Sequence, residues 1–152
     1  MNERAPRIAL LGCGASKSTR TCAARAMYRS SLFQGSLQWA LLHCDAAYIL
    51  SAKHGLLDLD AVIEPYDETL PRDRAGREAW GSRVGSQIVA AVGEVDATLV
   101  VLAGERYADV LSFDDPEWEY GWEEPLRGMQ IGERLAWLHR QRVLGGAERE
   151  AA

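Results

Sequence analysis

The stretch Thr98-Leu99-Val100-Val101-Leu102-Ala103-Gly104 is the clearest strand of the chain, an apolar run closed by glycine. Two earlier stretches have the same character. Arg7-Ile8-Ala9-Leu10-Leu11-Gly12-Cys13 fits a short buried strand, and Ala47-Tyr48-Ile49-Leu50-Ser51 is the next one. Helical patterns separate them. One begins near Cys22 and continues past Ser30-Ser31, where Leu32, Leu37, Trp39, Leu41 and Leu42 are spaced to cover one face. A long helix is expected over 71–94, with Pro71 near its start and Trp80, Val84, Ile88, Ala91 and Val92 on its apolar side. Residues 107–111 suit a short helix, and 128–142 a last one with Ile131, Leu135, Trp137 and Leu138 inward.

Residues 56–69 show no period and contain Pro65, which reads as an ordered loop. Residues 113–124 are acidic and aromatic, with Trp118, Tyr120 and Trp122 alternating, and suit a lid or a loop covering the core. Strands alternating with helices define an α/β fold. The expectation is a single-domain three-layer sandwich with a mostly parallel central sheet, Rossmann-like in plan. It spans 1–144 and leaves 145–152 as a frayed tail, with no internal repeat.

Size and composition agree with one ordinary domain. The chain has 152 residues, 47% hydrophobic and 26% charged, which excludes a largely disordered protein. No run approaches the roughly 20 apolar residues of a membrane span, so no membrane partner is expected. The N-terminal residues do not read as a signal peptide, and three widely spaced cysteines suit a reducing cytoplasm. No two cysteines have metal-ligand spacing and the three histidines are scattered, so neither a metal nor a cofactor is expected. A net charge of −5 argues against binding nucleic acid through bulk charge, yet it leaves room for a local basic pocket.

In parallel sheets ligands sit beyond the carboxyl ends of the strands, which directs attention to three exits. The first, Gly12-Cys13-Gly14-Ala15-Ser16-Lys17, fails as a Walker loop because Ser16 stands where a glycine is needed before the lysine. It fails as a dinucleotide fingerprint because Lys17 takes the place of the third glycine. What remains is a turn that can offer backbone N–H groups, a thiol and an ammonium to an anion or a polarised carbonyl. Cys13 is the best nucleophile of the three cysteines, since a cation beside a strand tip activates a thiol. Cys22 and Cys44 suit packing.

The second exit gathers Ser51, Lys53 and His54, and then Glu64 and Tyr66 a few residues on. His54, with an ordinary pKa near 6.5, suits a general acid or base. Glu64 can orient it or act as the base itself, and Tyr66 can stack on a planar ring or donate a hydrogen bond. A purely structural account is equally available, with His54 capping the sheet and Glu64 paired to Lys53. The third exit supplies Gly104 and Tyr107. His43 and His139 are expected to be packed, and Arg72, Arg74 and Arg77 to form a solvated face.

Ile49-Leu50-Ser51-Ala52-Lys53-His54-Gly55-Leu56-Leu57, followed by Ile63-Glu64-Pro65-Tyr66-Asp67-Glu68-Thr69-Leu70, resembles the YaaA-like group. That group takes in peroxide-stress proteins and small single-domain relatives of unassigned function. Cys13 to Lys17 and Ala103 to Tyr107 agree with it. The first motif also resembles the core of archaeosine synthase, where a cysteine and a lysine four positions later belong to a site for a 7-deazaguanine base. The resemblance implies an association with nucleic acid or modified bases, and DNA binding for the peroxide-stress proteins.

The expected function is therefore an enzyme acting on a nucleobase, in a nucleotide or within nucleic acid. Cys13, His54 and Glu64 are the catalytic candidates; Lys17, Ser51, Lys53, Tyr66, Gly104 and Tyr107 are the binding candidates. Two mechanisms are open at this point. Cys13 can attack an electrophilic base carbon, or Glu64 can activate water for N-glycosidic cleavage, as in a glycosylase. The alternatives are a non-catalytic DNA- or nucleotide-binding protein, and a regulator that binds partners through its tryptophan-rich loop.

Overall fold

The computed structural model describes residues 5–93, 95–111 and 120–151, with side chains as far as 141. Five strands form the central sheet in the order β4-β3-β1-β6-β7: β1 (Arg7–Gly12), β3 (Ala46–Ser51), β4 (Gly55–Asp58), β6 (Thr98–Leu102) and β7 (Gly121–Glu123). All neighbours are parallel except β4, which folds back antiparallel on β3. The fold is thus the expected α/β sandwich.

Side chains alternate across a strand, and both faces of these strands are buried. From β1, Ala9 and Leu11 enter one core and Ile8 and Leu10 the other. From β6, Val100 and Leu102 take the first side and Leu99 and Val101 the second. The first core is closed by α2 (Ser31–His43) and α5 (Ile131–Ala151), with Phe33, Leu37, Trp39 and Leu138 buried in it. The second is closed by α3 (Arg74–Val92) and α4 (Glu105–Val110) through Trp80, Val84, Ile88 and Ala108.

Helix starts follow their local chemistry. Ser30 accepts a hydrogen bond from Phe33 N–H ahead of α2, and Asp73 accepts one from Gly76 N–H ahead of α3. Each such cap is worth about 1 kcal/mol. The long helix therefore starts after Asp73, and Pro71 lies before it rather than in its first turn.

Several local expectations are corrected. Cys22 does not open a helix, because Cys22–Ala23 (β2) pairs antiparallel with Val62–Ile63 (β5). Ala24 N–H and Arg25 N–H then bond Ala61 O and Leu59 O at 2.8 and 2.9 Å, which leaves one helical turn, α1 (Ala24–Met27). The expected loop over 56–69 contains most of β4, which pairs with β3 across a tight turn, and β5, which pairs with the distant β2; in both, backbone partners outweigh weak local pattern. Residues 121–123 form the edge strand β7 beside β6 instead of a lid, while Trp118 lies outside the described residues. Ile131 is 65% exposed rather than inward, whereas Leu138 is 1% exposed.

Chain order locates the crevice. After β1 the chain passes to β3 on one side, and β6 is then laid on the other side of β1. The crossovers through α2 and α3 cover opposite faces. The topological switch point lies at the carboxyl ends of β1 and β6.

Candidate functional site

Cys13 follows β1 directly and its N–H continues the parallel ladder to Leu50 O at 3.3 Å. Across the switch point, Gly104 caps α4, whose first turn carries Tyr107 back toward β1. The Tyr107 hydroxyl reaches the Cys13 Sγ at 3.5 Å. Two strand exits that are 94 residues apart in sequence thus meet in one contact.

The turn after Cys13 is pinned. Lys17 bridges Tyr28, Ser18 N–H bonds Met27 O at 2.7 Å, and Arg29 N–H bonds Ser16 O at 2.9 Å. The N–H groups of Cys13 and Ser18 are thereby committed to carbonyls. Positive charge at this exit comes from the Lys17 ammonium more than from an amide cradle.

The β3 exit is a tight hairpin. Ser51 pairs with Gly55 across Ala52, Lys53 and His54, and Gly55 has φ +74°, a conformation that favours glycine. A Cβ there would also lie 2.2 Å from Gln87 Oε1, the acceptor of Leu56 N–H. The turn holds Lys53 outward and His54 half-buried.

Tyr66 is the hub of the cluster. Its hydroxyl lies 2.7 Å from Ser51 Oγ and 2.6 Å from the Tyr28 hydroxyl. Ser51 Oγ in turn accepts His54 N–H at 3.1 Å. The Lys17 Nζ sits 4.7 Å and the Lys53 Nζ 5.9 Å from the centre of the Tyr66 ring, within cation–π range. The His54 ring meets Tyr66 edge-on at 5.4 Å. Among the described residues, neither ammonium is in an ion pair with a carboxylate.

Burial sets the protonation of the cluster. It pushes the phenols of Tyr28 and Tyr107 far above the ordinary tyrosine value, helped by hydrogen bonds to Tyr66 and Cys13 respectively. Burial also raises Tyr66, against the lowering effect of its bonds from Ser51 and Tyr28. The His54 imidazole is pushed below 6.5, first by burial and then by the Lys53 charge, with Glu68 opposing and Arg83 adding to it. At neutral pH the phenols keep their protons and the imidazole is neutral. His54 Nε2 is buried and has no hydrogen-bond partner among the described residues.

Of the residues singled out from sequence, Cys13 and Tyr107 form one contact, and Lys17, Ser51, Lys53, His54 and Tyr66 form the adjoining cluster. Ser51 is fully buried, so it positions Tyr66 and the hairpin. Gly104 is exposed at the α4 cap. Glu64 is exposed, and among the described residues it makes no hydrogen bond or ion pair with this cluster, Lys53 included. Arg74 pairs with Glu78, and Arg77 bonds Arg72 O.

Two contributors escape a reading of the sequence. Tyr28 is fully buried and closes the hydroxyl chain. Trp80 donates its indole N–H to Ser51 O at 2.9 Å and meets the Tyr107 ring edge-on at 5.3 Å. Tyr28 carries no motif, and Trp80 reads only as part of an apolar helix face. His43 packs on Trp39 at 5.0 Å. Among the described residues, no group of three or more His, Cys, Asp or Glu could hold a metal ion, and no helix is long and apolar enough to cross a membrane.

These features define a single-domain α/β protein with a polar cluster at the switch point of a mostly parallel sheet. The chain belongs to a family of unknown function, DUF6884, whose model matches residues 8–140. Comparison with curated proteins gives no match.

Proposed function

We propose that this protein is an enzyme acting on the base of a nucleotide, with Cys13 as the reacting group. The observation that carries the reading is the convergence on Tyr66 of two lysines that, among the described residues, have no carboxylate partner, beside a thiol held by a phenol. Unpaired ammonium groups at a strand exit favour an anionic ligand, and a phosphate supplies one. The resemblance to YaaA-like proteins and to the archaeosine synthase core supports a nucleobase as the group acted on.

In this reading Lys17 and Lys53 supply the positive charge that draws an anionic ligand to the site. The Cys13 thiol adds across a C=N bond of an electron-poor ring. The sulfur bonds the carbon, the π pair moves to the ring nitrogen, and that nitrogen takes the proton the thiol gives up, with the Tyr107 hydroxyl hydrogen-bonded to the sulfur. His54, neutral and with a ring nitrogen that has no partner among the described residues, stands against Tyr66 as a proton acceptor for the bound ligand. The N-glycosidic route is supported less well, because Glu64 stands exposed and outside the hydrogen-bonded cluster.

A second reading, a nucleotide- or DNA-binding protein without turnover, is favoured by one observation. The cluster holds its phenols protonated, and among the described residues none of its lysines is ion-paired with a carboxylate. One experiment separates the readings. Wild type, Cys13→Ser and Glu64→Gln are incubated with ribo- and deoxynucleotides and with modified-base oligonucleotides, and both ligand and protein are weighed by mass spectrometry. A mass change made by wild type and Glu64→Gln and lost in Cys13→Ser is expected. Full turnover by Cys13→Ser would overturn the thiol mechanism, and bound but unchanged ligand would favour the second reading.

A further inference from the structure

Beside the cluster, an open groove of about 310 Å³ runs between the β3–β4 turn and the start of α3. That volume is at the lower end of the ~300–1,000 Å³ typical of small-molecule sites. Lys53 and Arg83 supply two cations to its lining, Glu68 one carboxylate, and Thr69 a hydroxyl. Trp80 lines it as well, and this same indole touches Tyr107, the partner of Cys13.

The guanidinium of Arg83 is held in place without being neutralised. It bonds Lys53 O at 3.2 Å, and among the described residues it is in no ion pair. A guanidinium has five N–H donors in a planar fork, so most of that fork is left to an incoming acceptor. Lys53 is common to groove and cluster, since its ammonium also lies 5.9 Å from the Tyr66 ring. In the groove wall Gly76 lets the first turn of α3 pack closely on Pro71, where a Cβ would lie 2.7 Å from Pro71 Cβ.

We infer that this groove is a subsite for the ribose and phosphate of a single nucleotide, the base of which extends past Lys53 toward Cys13. The inference deepens the proposed function and rests on it for the position of the base. The phosphate meets the Arg83 fork and the Lys53 ammonium, the pair of donors that suits phosphate oxygens. Glu68 and Thr69 face the sugar hydroxyls, where a carboxylate accepts from an O–H. The groove holds one such unit, and the net charge of −5 disfavours a long polyanion.

The test is a titration of the full chain followed by NMR at the Trp80 indole, the Arg83 side chain and the Tyr107 ring. The probes are the four 5′-ribonucleoside monophosphates, their nucleosides, inorganic phosphate and a short single-stranded oligonucleotide. Saturable shifts at Trp80 and Arg83 are expected with at least one monophosphate. Affinity should fall at least fivefold in its nucleoside, in inorganic phosphate and in the exposed-site variant Arg83→Gln.

Shifts confined to Tyr107 would overturn the groove and leave the proposed function standing. Shifts in the groove with a silent Tyr107 would keep the subsite and count against the proposed function. Inorganic phosphate that matches the nucleotides, or an oligonucleotide bound more than tenfold tighter, would overturn the single-nucleotide assignment. So would an Arg83→Gln protein with unchanged affinity.

Discussion

Replacing Tyr66 with phenylalanine tests whether the hydroxyl chain holds the site together. The ring stays, so its contacts with Lys17, Lys53 and His54 are retained, and only the oxygen is lost. That oxygen bonds Tyr28 at 2.6 Å and Ser51 at 2.7 Å, and both partners are fully buried. Two hydrogen bonds therefore disappear, each worth about 1 kcal/mol net, and a buried hydroxyl without a partner costs about 1–3 kcal/mol. Part of this is recovered. Ser51 and Tyr28 flank the same oxygen, so they can bond each other once it is removed, and Ser51 keeps the His54 N–H.

A loss of about 1.5 kcal/mol is expected, or roughly 3–6 °C in melting temperature for a domain of this size. Urea unfolding of Tyr66→Phe, Tyr28→Phe and the double variant supplies the measurement. Removing both hydroxyls leaves neither without its partner, so the double variant should cost about 1 kcal/mol less than the sum of the singles. Additive effects, or a Tyr66→Phe protein within 0.5 kcal/mol of wild type, would refute the idea that this chain of hydroxyls carries load.

Three further expectations follow from the same geometry. Gly55→Ala places a side chain at φ +74° and displaces Gln87 from Leu56 N–H, so it should cost about 2 kcal/mol or more in urea unfolding; a loss under 0.5 kcal/mol would contradict the turn described. His54 is held below its ordinary 6.5, so the fold favours the neutral ring; its stabilising effect is complete above pH 6.5 and is lost as pH falls from 6.5 through the folded value. An NMR titration should give a midpoint below 6.5, and His54→Gln should flatten stability across that window, whereas a midpoint at or above 6.5 would reverse the argument. Tyr107→Phe removes the hydroxyl bonded to Cys13, so peptide-resolved alkylation of Cys13 by iodoacetamide at pH 7 should slow by about 2–10-fold, the kinetic equivalent of one hydrogen bond; an unchanged rate would separate Tyr107 from the thiol.

The sequence by itself determined the architecture and the end of the sheet to inspect. Apolar runs closed by glycine, as at 98–104 and 7–13, can be buried on both faces only inside a sheet covered by helices. The rule that ligands sit at strand exits then reaches Cys13, Lys53, His54 and Tyr107 without coordinates. Short elements were not legible. β2 and β5 are two residues each and β7 is three, too few to show a period, and each exists because another strand satisfies its backbone. Only the tertiary structure decided which candidates meet. Tyr28 lies 38 residues from Tyr66 and Trp80 lies 29 from Ser51, so each contact depends on how helices and turns pack across the sheet. Glu64 and Tyr66 are near neighbours in the chain, yet one is exposed and the other is bonded into the cluster, because only Tyr66 reaches the buried hydroxyls of Ser51 and Tyr28.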